Sequence, residues 1–293
     1  MRIAIHAGAH CTDDDRLLKA LLRNADGLRG RAVSIPGPGR YRGLLSDALN
    51  KLGDATPAPD SREILLERIL SEDADMVDRM VLSHENLFCV PKLMLSGGVL
   101  YRKAESRLAA LARLFPGDEL ELYLGLRNPA TLLPTCFGSA PGGSFEEFLG
   151  GMDPLQFRWS HLIAGLRKTL PDMPITIWCN EDTPLIWGEV IRALAGLESG
   201  AKIVGAFDLL SEIMDSEGMR RFRAYLAEHP TINEAQKRRV MMAFLDKYAL
   251  DEELEEVLDL PGWDEAYVDR LTAIYDADVD AMAAMLGVRL IGA

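Results

Sequence analysis

The first twenty residues limit the fold of this chain more than any other stretch. Ile3-Ala4-Ile5-His6 is a short apolar run, Ala7 to Asp15 is small and polar, and Leu17, Leu18, Leu21 and Leu22 recur at helical spacing. That order reads as strand, loop and helix. In an open α/β sheet such a unit presents a loop and a helix N-terminus at the carboxyl end of the first strand, where anions commonly bind. A phosphate cradle there needs glycine for close backbone approach, a lysine for charge and Ser or Thr hydroxyls. Gly8 and Thr12 are present, but the loop has no lysine and continues into Asp13, Asp14 and Asp15. Carboxylates oppose a phosphate by Coulomb repulsion, most of all where water is excluded. Helix capping accounts for them: Thr12 is placed as an N-cap with Asp15 three residues on, and acids in a first turn complement the helix dipole. A second reading joins His10 to the aspartates as an oxygen-rich metal site.

A chain of 293 residues suffices for one large α/β domain or two small ones. Its 48% hydrophobic and 26% charged composition is ordinary for a soluble globular protein, and no apolar run approaches a membrane span. The start enters a strand-like run with no basic-then-apolar leader. Cys11, Cys89, Cys136 and Cys179 are scattered without paired spacing. Together these predict a reducing cytoplasm rather than a disulfide framework or a zinc site. Net charge is -13, and residues 151–293 carry 14 Lys/Arg against 25 Asp/Glu. An acidic C-terminal half argues against nucleic acid and anionic membrane surfaces as partners.

Further along, residues 31–35 read as a second strand, ended by the loop signal Pro36-Gly37-Pro38-Gly39 and followed by Arg40, Tyr41 and Arg42 on that loop. A helix is expected over about 60–72. Met80-Val81-Leu82-Ser83 reads as a buried strand that turns polar at His84-Glu85, at the same sheet edge as the first loop. His84 and Glu85 are therefore candidates for general acid–base work, with a hydrogen-bonded histidine in a capped loop as the plainer reading. A helix over 102–114, a stop at Phe115-Pro116-Gly117-Asp118 and a strand over Glu119 to Leu126 form a βαβ unit that ends in Arg127-Asn128-Pro129. An arginine leaving a strand at the ligand edge suits phosphate, because its fork binds two oxygens.

Residues 155–170 are amphipathic, and Ile175 to Cys179 is a further strand. Thr183 caps the next helix, with Pro184 at its first position. From about 207 the chain reads as helical, with Thr231-Ile232-Asn233-Glu234 as a capping box. Between Asp246 and Asp280 thirteen acids face Lys247 and Arg270 alone, the pattern of a solvated helical face. Val288 to Ile291 fits a short final strand or a packed tail.

With these residues in place, the chain resembles the sulfotransferase family, especially its bacterial P-loop members. These open with a strand and a loop of the type His-x-Gly-x-His-Lys-Thr-Gly-Thr-Thr. His6, Gly8, His10 and Thr12 match that frame, while Cys11 stands at the family lysine, Asp13 at its glycine, and Asp14 and Asp15 at its two hydroxyl residues. The second family motif, an arginine leaving a strand with a serine eight residues later, matches Arg127-Asn128-Pro129, with Thr135 as the hydroxyl. The resemblance covers most of residues 1–197. It implies a P-loop-like, mainly parallel central sheet flanked by helices, with residues 1–206 as the α/β core and 207–293 as a helical extension of the same domain.

By that resemblance the cofactor is 3′-phosphoadenosine-5′-phosphosulfate. Arg127 and Thr135 would hold its 3′-phosphate, and His10, Cys11, Thr12, Asp13, Asp14 and Asp15 would face its 5′-phosphosulfate. The reaction would be sulfuryl transfer to a hydroxyl or amine of a carbohydrate or small metabolite, with His84 or Glu85 as base. Transfer needs positive charge on the bridging oxygen and leaving phosphate, which this loop does not supply. Lys92, Arg40 or a metal would have to replace the lysine. The alternative is a catalytically degenerate member that keeps the scaffold and serves as a binding or regulatory module, its anion site filled by its own carboxylates and its partner surface on the acidic helices after 246.

Overall fold

In the computed structural model, residues 1–70, 76–140, 142–250, 252, 260 and 262–292 are described. Six strands form one sheet in which every neighbouring pair is parallel: β1 (Arg2–His6), β2 (Val33–Ser34), β3 (Arg79–Ser83), β4 (Glu119–Leu126), β5 (Ile175–Cys179) and β6 (Val288–Ile291). Their order across the sheet is β2-β3-β1-β4-β5-β6. The expected α/β architecture and the final strand are both present. Parallel neighbours need crossovers, and these are helical: α1 (Arg16–Arg23), α2 (Ala25–Arg29), α3 (Pro38–Leu52), α4 (Ser61–Leu70), α5 (Ala104–Leu114), α6 (Pro129–Ser139), α7 (Phe145–Leu149), α8 (Trp159–Thr169) and α9 (Thr183–Ala195).

The alternation of side chains along each strand sends two sets of apolar residues to opposite faces. Ile3, Ile5, Met80, Leu82, Leu122, Leu124, Ile175 and Ile177 meet α3, α4, α5 and α8 through Leu45, Leu66, Leu111 and Ile163. Ala4, Val81, Tyr123, Trp178 and Ile291 meet α1 and α9 through Leu17, Leu21, Val190 and Ile191. Burying each of these leucines or isoleucines contributes about 1.5–3 kcal/mol. With both faces covered, β1 has every residue from Ile3 to His6 buried. Beyond residue 207 come α10 (Leu210–Ile213), α11 (Ser216–Glu228), α12 (Glu234–Tyr248) and α13 (Glu265–Ala283). The first three gather around Leu210, Met214, Phe222 and Met241, whereas α13 packs Tyr275 and Met282 into the main core. No helix among the described residues is long and apolar enough to cross a membrane.

Several local expectations need correction. Pro38 opens α3 rather than ending a loop, so Arg40, Tyr41 and Arg42 are helical; proline at a first helical position costs nothing because its missing N–H has no partner there anyway. The second strand shortens to two residues. Helix α9 begins at Thr183 itself, whose hydroxyl donates to the Asn180 carbonyl at 2.6 Å instead of capping. The capping box of α12 is Asn233 with Gln236, two residues beyond the expected start. Of the acidic 246–280 stretch, residues 251, 253–259 and 261 lie outside the described residues, as do 71–75 at the end of the expected 60–72 helix.

Near the amino ends of the strands an ion pair links β3 to β4, its arginine buried and its glutamate partly so. Arg79 on β3 donates to both Glu121 carboxylate oxygens on β4 (2.9 and 2.6 Å), to Tyr123 and to the Leu194 carbonyl. Burial alone would raise the Glu121 carboxyl, but the guanidinium holds it below the usual range. Removing one partner strands a buried charge. Glu121→Ala is expected to cost about 3–5 kcal/mol in chemical denaturation, against about 1 kcal/mol or less for Glu212→Ala, whose pair with Arg16 is half exposed on both sides. Equal costs would show that the Arg79–Glu121 pair is solvated.

Candidate functional site

The loop after β1 is pinned to the sheet before it turns. Ala7 and Ala9 donate their N–H groups to the β4 carbonyls of Tyr123 and Gly125 at 3.0 and 2.9 Å, and Gly125 returns a bond to Gly8 at 2.7 Å. Gly8 has a φ of +96°, and a Cβ there would lie 3.1 Å from the His10 nitrogen and 3.5 Å from the Glu85 Cα. Only glycine fits that approach. The loop after β3 is thereby packed against the loop after β1, and His84 N–H donates to the His6 carbonyl at 2.8 Å.

His10 is fully buried and faces away from the aspartates. Its Nε2 lies 3.1 Å from Asn86 Oδ1 and 3.0 Å from the Cys89 carbonyl, and its Nδ1 lies 3.1 Å from the Tyr101 hydroxyl. Two acceptors beside Nε2 place the proton there, so Nδ1 accepts from Tyr101. Neither nitrogen is left for a metal, and among the described residues no three His, Cys, Asp or Glu side chains are grouped to hold one.

The three aspartates separate. Asp13 Oδ2 accepts from the Leu17 N–H at 3.0 Å, so Asp13, not Thr12, caps the first turn of α1; the Thr12 hydroxyl donates to the Ala9 carbonyl at 2.7 Å. Asp14 is exposed. Asp15 accepts both arms of the Arg42 fork, and Arg42 Nε donates to the Ser83 carbonyl at 2.9 Å. That guanidinium holds the Asp15 carboxyl below the usual range. Of the three loop carboxylates Arg42 thus neutralises Asp15, from a helix the sequence disguised as a loop. Of the expected substitutes for the missing lysine, Lys92 lies in a short turn over Pro91–Leu93 and Arg40 in the first turn of α3.

At the far side of the loop, Arg127 is buried and donates to the Cys11 carbonyl and, at 3.0 Å, to the Thr131 hydroxyl. Thr135 is exposed and donates to the Thr131 carbonyl at 2.7 Å. The loop after β1 and the segment after β4 therefore meet in space, with Arg127 turned onto the chain's own backbone.

His84 and Glu85 occupy the edge between the loop and α3. His84 Nε2 lies 3.0 Å from Ser46 Oγ, while its buried Nδ1 has no hydrogen-bond partner among the described residues. Burial, then the Arg42 and Arg107 guanidinium groups, push the His84 imidazole down to about 4, so it is neutral at pH 7. Burial, then the Asp15 and Asp13 carboxylates, raise Glu85.

Ser46 and Asn86 also line a cavity of about 280 Å³ on the outer side of this edge. Its walls are apolar at Phe88, Cys89, Val90 and Leu93 and cationic at Arg102, Lys103 and Arg107, with no acidic residue among them. Arg107 donates to the Leu87 carbonyl at 2.9 Å and to Asn50, both neutral, and burial lowers it from its ordinary value. Sequence reasoning missed this cluster because its members lie at 46–50, 86–93 and 102–107, joined only by the packing of α3 against α5. No family profile, curated protein or solved structure matches this chain.

Three histidines here (His6, His10 and His84) bind a proton less readily than in an unfolded chain, in each case chiefly through burial. Each contributes stability that is complete above the unfolded value of 6.5 and declines as pH falls below it. Unfolding free energy is expected to drop between pH 6.5 and 4.5, by at most about 1.4 kcal/mol per pH unit for each group. His84→Asn should flatten that slope by one proton's worth in urea titrations. An unchanged slope would place His84 in solvent.

Proposed function

We propose that this chain is a sulfotransferase-like α/β protein that binds a small organic anion in the cavity beside His84, and does not transfer a sulfuryl group at the loop after β1. The observation that carries this reading is a contrast in charge. At the loop, the Asp13 carboxylate already accepts from the α1 N-terminus and Glu85 feels the charge of three aspartates, whereas Arg107, Arg102 and Lys103 line an apolar cavity with no carboxylate among its lining residues. A half-buried guanidinium bonded only to neutral oxygens gains most from an anion, because its desolvation is already complete in part. Phe88, Val90 and Leu93 supply the apolar wall that an aromatic or aliphatic body would cover. The β-strand order and the meeting of Arg127 with the first loop support the sulfotransferase-like scaffold.

A second reading keeps the chemistry. His84 reaches the cavity through Ser46 and Glu85 precedes the lining residue Asn86, so either is within one residue of an acceptor hydroxyl bound there. In that case 3′-phosphoadenosine-5′-phosphosulfate would have to displace Asp13 and bind Arg127, with Thr135 beside it.

Thermal unfolding with millimolar benzoate and benzenesulfonate tests the first reading, with benzyl alcohol as the uncharged control. A ligand at 100 times its Kd adds about 2.7 kcal/mol, which for a chain of this size raises Tm by on the order of several degrees. The rise is expected for the anions alone and should vanish in Arg107→Met. Equal shifts from the alcohol, or none from either anion, would end the proposal. A shift with 3′-phosphoadenosine-5′-phosphate that disappears in Arg127→Ala would replace it with the second reading.

A further inference from the structure

Cys11 and Cys136 are 125 positions apart, yet the loop after β1 and helix α6 bring their sulfurs to 3.1 Å. Cys136 donates to Cys11, and the Ser139 hydroxyl, one turn further along α6, lies 3.6 Å from the Cys11 sulfur. The Arg127 guanidinium reaches the Cys11 carbonyl, which keeps a fixed positive charge within the same turn. Cys11 is half-buried with exposed Ser139 beside it, whereas Cys136 is completely buried beneath. We propose that Cys11 and Cys136 form a redox-active dithiol, in which Cys11 reacts with hydrogen peroxide and Cys136 resolves the product as an intramolecular disulfide.

The other thiols mark the contrast. Burial raises Cys89 and Cys179 to about 11, and leaves both as inert thiols at neutral pH. Cys11 alone is lowered, by the Cys136 hydrogen bond first, then Ser139 and Arg127, and the same hydrogen bond with burial keeps Cys136 protonated. A solvent-facing thiolate with a protonated thiol behind it has the polarity that a two-step oxidation needs.

In the first step the Cys11 thiolate attacks the terminal peroxide oxygen. An S–O bond forms, the O–O bond breaks, and the leaving hydroxide takes up a proton as water. In the second step the Cys136 sulfur attacks Cys11 sulfenic acid, an S–S bond forms, the S–O bond breaks, and the departing hydroxide combines with the Cys136 proton as a second water. The thiols lose two electrons and the peroxide gains them. Closing the pair needs the sulfurs to approach by about 1 Å, and the Cys11 side of that movement lies in a loop rather than in the sheet.

The full-length chain tests this directly. Reduced protein is treated with one equivalent of hydrogen peroxide, the remaining thiols are alkylated, and the intact mass and proteolytic peptides are read. Two of the four thiols should escape alkylation, linked as Cys11–Cys136, and dithiothreitol should return all four. Cys136→Ser should instead accumulate Cys11 sulfenic acid, trapped by dimedone, and Cys11→Ser should form no cross-link. Alkylation of all four thiols after peroxide, or a cross-link through Cys89 or Cys179, would overturn the proposal, and the wild-type mapping decides it even if a variant misfolds.

Discussion

The structure depends on β1 being closed from every side. It pairs with β3 on one edge and β4 on the other, its side chains are buried on both faces, and its pairing with β4 runs past the strand through Ala7 and Ala9. Backbone groups buried this deeply must be bonded to something, and here they are bonded to the sheet. That leaves fewer N–H groups in the following loop to cradle an anion. His10 donates its backbone N–H to Tyr101, and Leu17 donates to Asp13. The loop has the position of a phosphate site and the bonding of a structural turn.

Such a turn distributes charge differently from a nucleotide loop. Positive charge that a cradle would concentrate at its centre is moved to its rim, where Arg42 holds Asp15 and the Ser83 carbonyl together. Arg42 thus ties the loops after β1 and β3 to α3, and Arg127 ties the other flank of the first loop to α6. Between these two braces Asp13 and Asp15 are hydrogen-bonded, and outside them Arg107 bonds to neutral oxygens beside Arg102 and Lys103. Function in this reading has moved along the sheet edge from the end of β1 to the far side of β3.

The sheet was legible because its strands are short apolar runs bounded by Pro, Gly and charged stops; Met80 to Ser83, Glu119 to Leu126 and Ile175 to Cys179 emerged almost at their observed bounds. The caps were less legible. Thr12, Thr183 and Thr231 each stand where a capping hydroxyl is plausible, yet a neighbouring Asp or Asn took the role or the helix started elsewhere, because a hydroxyl donates to a nearby carbonyl as readily as it accepts. His84 and Glu85 were found by strand-end position alone. Arg42 reads from sequence as a loop residue, and Tyr101, Arg107 and Cys136 were not found, since each acquires its meaning from a partner on a different element, and spacing along the chain carries no trace of that.

The ends of the sheet have a consequence of their own. A parallel sheet leaves two outer strands with unpaired backbone groups, which invite the edge of another molecule. Here those strands are β2 and β6, two and four residues long, and β6 carries an exposed Arg289. So brief a template, with a charge on one of its rims, gives an incoming strand few hydrogen bonds to gain. The geometry that completes the core also discourages one copy of this chain from adding its sheet to the next.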